Sequence, residues 1–420
     1  MLKVEEYKHQ AETCVRCSYC KFIDLNWVKS SRFSRQCPID TRYRFNLYSA
    51  HGLLHTALAE LDSKLEFTPK LMDALWQCTL CGGCDIRCKR NLDVEVLQVI
   101  ETLRSRCVEQ GKGPMPEHKM MANNVRKSHN IYGADTKERL NWMPKDIKPA
   151  QKAEVLYFVG DSSSYRHPEI AQATVKLLNQ AGVPFMVLGD EWSCGHELFA
   201  TGQQGPAKEM ADHNIKAIQN SGAKTVITSD AECYKTLKVD YPRIMEKSTE
   251  NMPYTILHIT EYIDQLVKDG KLKFTRRVPM KVTYHDPCNL GRLAEPWYHW
   301  EPKYEPPNIA VGKTWRRGEK GVYEPPRNIL KGIKGIELIE MERARDNTWC
   351  CGYGGGVGTA FPDFALWTAG ERTEEARVTG AEAIVSCCPN CKDILGQAAE
   401  AKNTGMRVYD ITEVILRAIR

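Results

Sequence analysis

No stretch of this 420-residue chain approaches the roughly 18 consecutive apolar residues that a membrane-spanning helix needs. Its best apolar runs, Val155 to Val159 and Pro184 to Leu188, are only strand-length. The N-terminus mixes charges and lacks an apolar leader core or a small-residue cleavage site, so a cytoplasmic address is expected, with any membrane association coming through partners. Charge of one sign is also missing: 58 Lys+Arg stand against 53 Asp+Glu, a net +5. No patterned basic and aromatic surface accompanies it, so nucleic acid is not an expected partner. There is no Ser-His-Asp or His-Glu-x-x-His constellation and no Gly-x-Gly-x-x-Gly after a strand, so these hydrolytic and dinucleotide-binding chemistries lack their residues. What the chain does have is cysteine, 17 in all. Clustered thiols in a chain of this length read as metal ligands rather than as a disulfide framework.

A composition of 42% hydrophobic and 26% charged residues belongs to a globular protein, and the length allows two or three domains. Residues 1–115 hold nine of the cysteines among segments with helical apolar spacing, Leu53 to Leu65, Pro69 to Gln77 and Val94 to Val108. Residues 116–150, rich in Pro and charge, read as a linker or docking arm. From residue 151 short apolar strands alternate with helices, and the cycle runs twice, over 151–275 and 276–420. The expected fold is therefore multidomain, α plus α/β: an all-helical cysteine module followed by two tandem α/β halves.

In the helical module, Cys14, Cys17, Cys20 and the more distant Cys37 form one set, and Cys78, Cys81, Cys84 and Cys88 the other. The second set is a complete C-x2-C-x2-C-x3-C run, in which three thiolates wrap one cubane and the fourth crosses to another cluster. On that logic Cys14, Cys17, Cys20 and Cys88 hold one [4Fe-4S] cluster, and Cys78, Cys81, Cys84 and Cys37 the second. Four-thiolate zinc sites use related spacings, so zinc is the alternative occupant. Cys107 lies outside both sets and reads as a buried small hydrophobe. This region resembles the α-helical ferredoxin module of electron-transfer subunits in anaerobic oxidoreductases.

The last half carries Tyr284-His285-Asp286-Pro287-Cys288, then Cys350-Cys351-Gly352, then Cys387-Cys388-Pro389-Asn390-Cys391. Each group ends a strand or opens a helix, which brings them to the sheet edge where open α/β folds place ligands. A lone Cys, a Cys-Cys-Gly and a C-x2-C resemble the CCG domain. Two such halves behind a helical ferredoxin module resemble the heterodisulfide reductase D-subunit family over nearly the whole chain. The resemblance implies a non-cubane [4Fe-4S] cluster on Cys288, Cys350, Cys351, Cys388 and Cys391, with zinc again the alternative. Cys387 has no assigned role. His285 and Asp286 are candidates for hydrogen bonds that tune a cluster's potential.

The first half repeats the pattern in degenerate form. Phe158-Val159-Gly160-Asp161, Ser193-Cys194-Gly195 and Asp230-Ala231-Glu232-Cys233 keep only Cys194 and Cys233. Carboxylates and hydroxyls replace thiolates poorly around a sulfide cluster. Family members with two facing non-cubane clusters split a disulfide, so a single intact site implies an electron-transfer role. The chain would relay single electrons between a flavoprotein similar to the heterodisulfide reductase A-subunit and another redox site in a hetero-oligomeric complex. Within the family this arrangement is similar to the heterodisulfide-reductase-like subunits of class II benzoyl-CoA reductase complexes. The alternative is a catalytic subunit that reduces a heterodisulfide or thiol-linked substrate at the C-terminal site. An insertion at about 297–323, rich in Pro, aromatics and Arg, is a candidate docking loop.

Overall fold

The computed structural model describes residues 3–299 and 314–419, together with two two-residue strands, Tyr304–Glu305 and Ile309–Ala310. The rest of the insertion's centre lies outside the described residues. The N-terminal module contains helices α1 (Ala50–Leu61), α2 (Pro69–Trp76), α3 (Gly83–Asn91) and α4 (Val96–Glu109). Ser49 caps α1 by accepting from the Gly52 N–H at 3.3 Å, and Thr68 caps α2 by accepting from Leu71, with Pro69 preset in the first turn. Helix α4 is the spine. It is buried almost all round, with Val99, Ile100 and Leu103 in the core and Gln98, Thr102, Arg104 and Ser105 also covered. A helix of this length keeps polar residues inside only when a second layer with hydrogen-bonding groups packs over them. The α/β halves supply that layer: Arg104, for instance, donates to the Ala200 and Gly355 carbonyls.

Residues 116–150 begin with helix α5 (Pro116–Ser128) and continue as a chain whose Arg139, Trp142 and Ile147 are buried against the first half. That half contains β1 (Val155–Tyr157), α6 (Pro168–Gln180), β2 (Phe185–Met186), α7 (Gln204–Ser221), β3 (Thr225–Thr228), β4 (Thr255–His258) and α8 (Ile259–Lys268). The second half contains β5 (Met280–Tyr284), α9 (Glu324–Gly332), β6 (Ile336–Leu338), α10 (Pro362–Arg377), β7 (Ala383–Ser386), α11 (Pro389–Ala401), β8 (Arg407–Asp410) and α12 (Ile411–Ile419).

Both sheets are parallel and four-stranded, ordered β2-β1-β3-β4 and β8-β7-β5-β6. Taking each half's strands in chain order, both read 2-1-3-4, so the expected duplication is present in the topology. Val155 pairs with Thr225, and Val282 with Ala383, the same first-to-third strand junction in each half. The central strands β1, β3, β5 and β7 are buried along most of their length, Lys281 being the exposed exception, because helices cover both faces. The halves also exchange helices reciprocally. Helix α8 packs on α9, and α12 packs on α6, so the helix after each half's fourth strand covers the helix after the other half's first strand, a pseudo-two-fold arrangement. The edge strands β4 and β8 had no clear sequence signal: each is four residues long, partly exposed, and runs straight into a helix.

Candidate metal centres

Two cavities in the helical module collect its eight clustered cysteines. Cys14, Cys17, Cys20 and Cys88 line one, with Tyr19, His51 and Asn91. Cys37, Cys78, Cys81 and Cys84 line the other, with Gln36, Thr79 and Leu97. This is the crossed grouping read from the spacing. The reason lies in the local backbone. In the first loop Arg16 and Ser18 adopt left-handed φ of 57° and 63°; at the equivalent places in the second, Leu80 and Gly82 have φ of 50° and 73°. Alternating right- and left-handed residues curl a chain into a concave loop, and three of these four are not glycine, so each such turn costs on the order of 1 kcal/mol. Cys37 stands at the N-cap of the helix Pro38–Tyr43, and Cys88 projects from α3, so each cavity is closed by a thiol from a separate helical segment.

Burial pushes several of these thiols up, Cys20 to about 11 and Cys88 to about 12, with Cys37 and Cys84 also well above the ordinary range, while the contact with Cys350 brings Cys81 down to about 5. Thiols raised in this way stay protonated at neutral pH unless a metal takes the proton's place. Their soft donor set suits iron–sulfur clusters and zinc alike.

The five cysteines expected at the C-terminal site also converge. Cys288 follows β5, Cys350 and Cys351 precede the Gly352 turn (φ 101°), and Cys388 stands at the N-cap of α11, whose first turn carries Cys391. The Cys350 sulfur lies beside those of Cys288 and Cys351, Cys351 beside Cys391, and Cys391 beside Cys388. Gly352 admits no side chain, since a Cβ there would stand 2.5 Å from the Ala365 carbonyl oxygen. One contact was not legible in the sequence: Cys350 also touches Cys81, and Cys81, Cys288 and Cys350 pack together as one cluster. The helical module and the last half therefore meet sulfur to sulfur.

The neighbouring candidates divide. A ring nitrogen of His285 and the sulfurs of Cys351 and Cys391 lie within 4.8 Å of one another. Arg372 Nε donates to His285 Nδ1 at 3.1 Å, and burial keeps the ring neutral. The remaining proton therefore sits on Nε2, the nitrogen free to donate to a thiolate. Asp286 instead turns away from the sulfurs. Its carboxylate is held by Arg327 at 2.7 and 2.9 Å and by the Arg345 N–H at 2.8 Å, so it braces the loop rather than the cluster. Cys387 is buried with its sulfur 2.7 Å from the Tyr284 hydroxyl, apart from the five. Cys107 is fully buried on α4.

Three buried guanidiniums surround these sites, and none is hydrogen-bonded to a carboxylate. Arg104 spends all its bonds on the carbonyls of Leu75, Cys78, Ala200 and Gly355. Arg292 donates to the carbonyls of Cys81 (2.7 Å), Asp346 (2.6 Å) and Thr348 (2.8 Å) and faces the sulfurs of Cys81, Cys288 and Cys350. Arg87, 0% exposed, lies beside Tyr19, which lines the first cavity, and is attracted to the Asp346 carboxylate. A buried cation is costly unless an anion answers it. A four-thiolate [4Fe-4S] cluster would carry net negative charge and answer Arg104 beside Cys78 and Arg292 beside Cys81, Cys288 and Cys350, whereas a neutral void would not. The residues present fit iron–sulfur clusters.

The degenerate half has been rebuilt with ordinary charges. Where a cluster ligand would follow β1, Asp161 binds Arg139 at 2.7 Å; the same guanidinium binds Glu191 at 3.0 Å, and Glu191 caps the Val159 and Gly160 N–H groups. Arg139 comes from the arm, a role its sequence context does not signal. Cys194 and Cys233 are buried beside each other, and a side chain at Gly160 would collide with the Cys233 sulfur. The described flank of the insertion folds back onto the module: Gly318 abuts Ile86 and Arg292, and Arg90 approaches Glu319 at 3.7 Å.

Comparison with known proteins agrees with this architecture. A model described as a 4Fe-4S dicluster domain matches residues 10–92, and one described as a cysteine-rich (CCG) domain matches residues 155–238 and 282–396. The D-subunit of the dihydromethanophenazine:CoB–CoM heterodisulfide reductase of Methanosarcina acetivorans is 33% identical over 416 residues, covering 98% of this chain and 94% of that protein. The B-subunit of the fumarate reductase (CoM/CoB) of Methanothermobacter marburgensis is 29% identical over 84% of this chain and 65% of its own length. The EtfAB:quinone oxidoreductase of Syntrophomonas wolfei is 29% identical over 83% of this chain and 47% of its own length. No helix among the described residues is long and apolar enough to cross a membrane.

Proposed function

From the premise that this chain belongs to the heterodisulfide reductase D-subunit family of iron–sulfur oxidoreductases, we propose that it relays single electrons through three clusters inside a larger redox complex. Two [4Fe-4S] clusters would be held by Cys14, Cys17, Cys20 and Cys88 and by Cys37, Cys78, Cys81 and Cys84. A non-cubane [4Fe-4S] cluster would be held by Cys288, Cys350, Cys351, Cys388 and Cys391. When bound, these groups supply one-electron redox chemistry. The chain's own residues hold them apart from water, place counter-charges and set the order of the sites.

The observation that carries this reading is the contact of Cys81 with Cys350, which puts a thiol of the second helical cavity against the C-terminal site. Arg292 lies across the same junction and favours added negative charge on both sides of it. The ion pairs at Arg139, Asp161 and Glu191 occupy the place of a second non-cubane cluster, which removes the partner site that paired disulfide cleavage uses in the family. Electrons would enter from a flavoprotein similar to the heterodisulfide reductase A-subunit.

A second reading, direct reduction of a disulfide at the Cys288 and Cys351 end, is favoured by the reach of the similarity to heterodisulfide reductase D-subunits, 98% of the chain. Mixing the anaerobically reconstituted, fully reduced chain with a thiol disulfide separates the two. Release of free thiol at a catalytic rate supports the enzyme; reduced clusters that persist with the disulfide present support the relay.

A further inference from the structure

Among the described residues, ten large hydrophobic side chains stand exposed, and seven of them lie between Val15 and Leu65. Val15, Leu25, Trp27 and Phe45 are each 60% or more exposed. Lys21 Nζ donates to Asn46 Oδ1 at 3.0 Å, which ties the neighbours Phe22 and Phe45 together, and Phe22 pairs across a β-bridge with Arg35. The Leu25 to Trp27 turn extends from the same loop. Val15 lines the first cavity together with Cys17, the exposed member of its four thiols, and Trp27 packs on Arg90, whose neighbour Asn91 lines the same cavity.

The face is also basic. Residues 15–48 contain seven Lys/Arg against Asp24 and Asp40, an excess of five that equals the net charge of the whole chain. Asp40 is occupied internally by Lys21 and Arg35, and Arg32 is answered by Glu371 from the second half. Lys29 and Arg44 are exposed and make no ion pair with a carboxylate among the described residues. Apolar side chains interleaved with unneutralised bases around the one exposed thiol of a redox site mark a surface for a transient partner.

We infer that this face docks an acidic electron-carrier protein. The inference rests on the relay reading above and names a port at which a small one-electron carrier exchanges electrons with the chain, beside the flavoprotein's own site. An acidic protein matches the charge, and a protein redox carrier, unlike a lipid surface, can exchange electrons with a site whose Cys17 thiol is exposed there. In each encounter one electron leaves the carrier, which is oxidised by one, and enters the site bounded by Cys14, Cys17, Cys20 and Cys88, which is reduced by one. No bond and no proton changes hands.

The test uses the full-length, anaerobically reconstituted chain and, as probe, an acidic bacterial ferredoxin with two [4Fe-4S] clusters. Its Kd is measured by calorimetry with both proteins oxidised, and its reduction of the chain is followed by stopped flow. Reduced methyl viologen serves as a small reductant that needs no docking. Lys29→Glu with Arg44→Glu, and separately Leu25→Ser with Trp27→Ser, should each raise the ferredoxin Kd about tenfold or more and slow its electron transfer alike. Reduction by viologen and iron content should stay as in the parent. Added salt should weaken binding to the parent more than to the charge-reversed pair. The inference is overturned if the parent does not bind the ferredoxin, if both pairs bind it as the parent does, or if a basic cytochrome c binds as well as the ferredoxin. It is also overturned if the pairs lose only binding to anionic vesicles. Failure of viologen to reduce the reconstituted chain would instead sink the relay reading itself, whatever the binding result.

Discussion

Replacing Arg292 with methionine removes a buried cation that lies between two proposed cluster sites. Arg292 donates to the Cys81 carbonyl at 2.7 Å. The guanidinium also faces the sulfurs of Cys81, Cys288 and Cys350, and about 7 Å is taken as the scale of its separation from the charge a bound cluster would carry. At an effective dielectric near 20, two unit charges about 7 Å apart interact by about 2.4 kcal/mol. For a one-electron couple that is about 100 mV, since 59 mV corresponds to a tenfold change in equilibrium constant. Adding an electron near a cation is favourable, so its loss should lower the potentials of the clusters at the Cys81–Cys350 junction by about 100 mV. The cluster near Cys14 should move much less. The substitution also strips donors from the carbonyls of Cys81, Asp346 and Thr348, a stability loss of a few kcal/mol. Arg292→Lys keeps the charge while losing the three-way fork, so it should restore most of the potential but not all of the stability. Redox titration followed by EPR reads the potentials, and iron content confirms loading. Unchanged potentials in a fully loaded Arg292→Met variant would refute the assignment of this arginine as the cluster counter-charge.

Other outcomes follow from the same geometry. Cys88→Ser should cost one cubane while leaving the cluster on Cys37 intact, and Cys37→Ser the reverse; each variant should lose about four Fe by metal analysis. Arg139→Met leaves Asp161 and Glu191 buried without their cation and should destabilise the first half by about 3–5 kcal/mol in denaturant unfolding, with iron content retained in the fraction that folds. Asp410 is buried, with its carboxyl pushed up to about 7 by desolvation. The folded state therefore prefers it neutral, so stability falls as pH rises from about 4, where the unfolded chain ionises, to about 7, and is flat beyond. Asp410→Asn should flatten that limb in a pH series of thermal unfolding.

The cysteine spacing made the two groups of four thiols readable because ligand loops are local, and each cavity draws three thiols from one short segment. The tandem α/β halves were readable from alternating strands and helices, but the four-residue edge strands β4 and β8 were not, since partial exposure breaks the apolar run that marks a buried strand. The junction of Cys81 with Cys350 joins residues far apart in the chain, and no local pattern records such a contact. The same holds for Arg139, a single base in a Pro-rich arm whose partners lie on two later loops. His285 and Asp286 are adjacent and looked equivalent as residues. Only the placement of Arg327 and Arg372 sends one carboxylate away from the sulfurs and leaves one ring nitrogen facing them. The left-handed turns at Arg16, Ser18 and Leu80 were hidden because none of the three is glycine.

Iron and acid-labile sulfide, determined anaerobically on the full-length chain together with its EPR spectrum, test the three-cluster account most directly. It predicts about twelve Fe and a matching amount of sulfide per chain, with the C-terminal centre distinguishable from two cubanes by its spectrum. About eight Fe, with zinc or nothing at Cys288, Cys350, Cys351, Cys388 and Cys391, would contradict it.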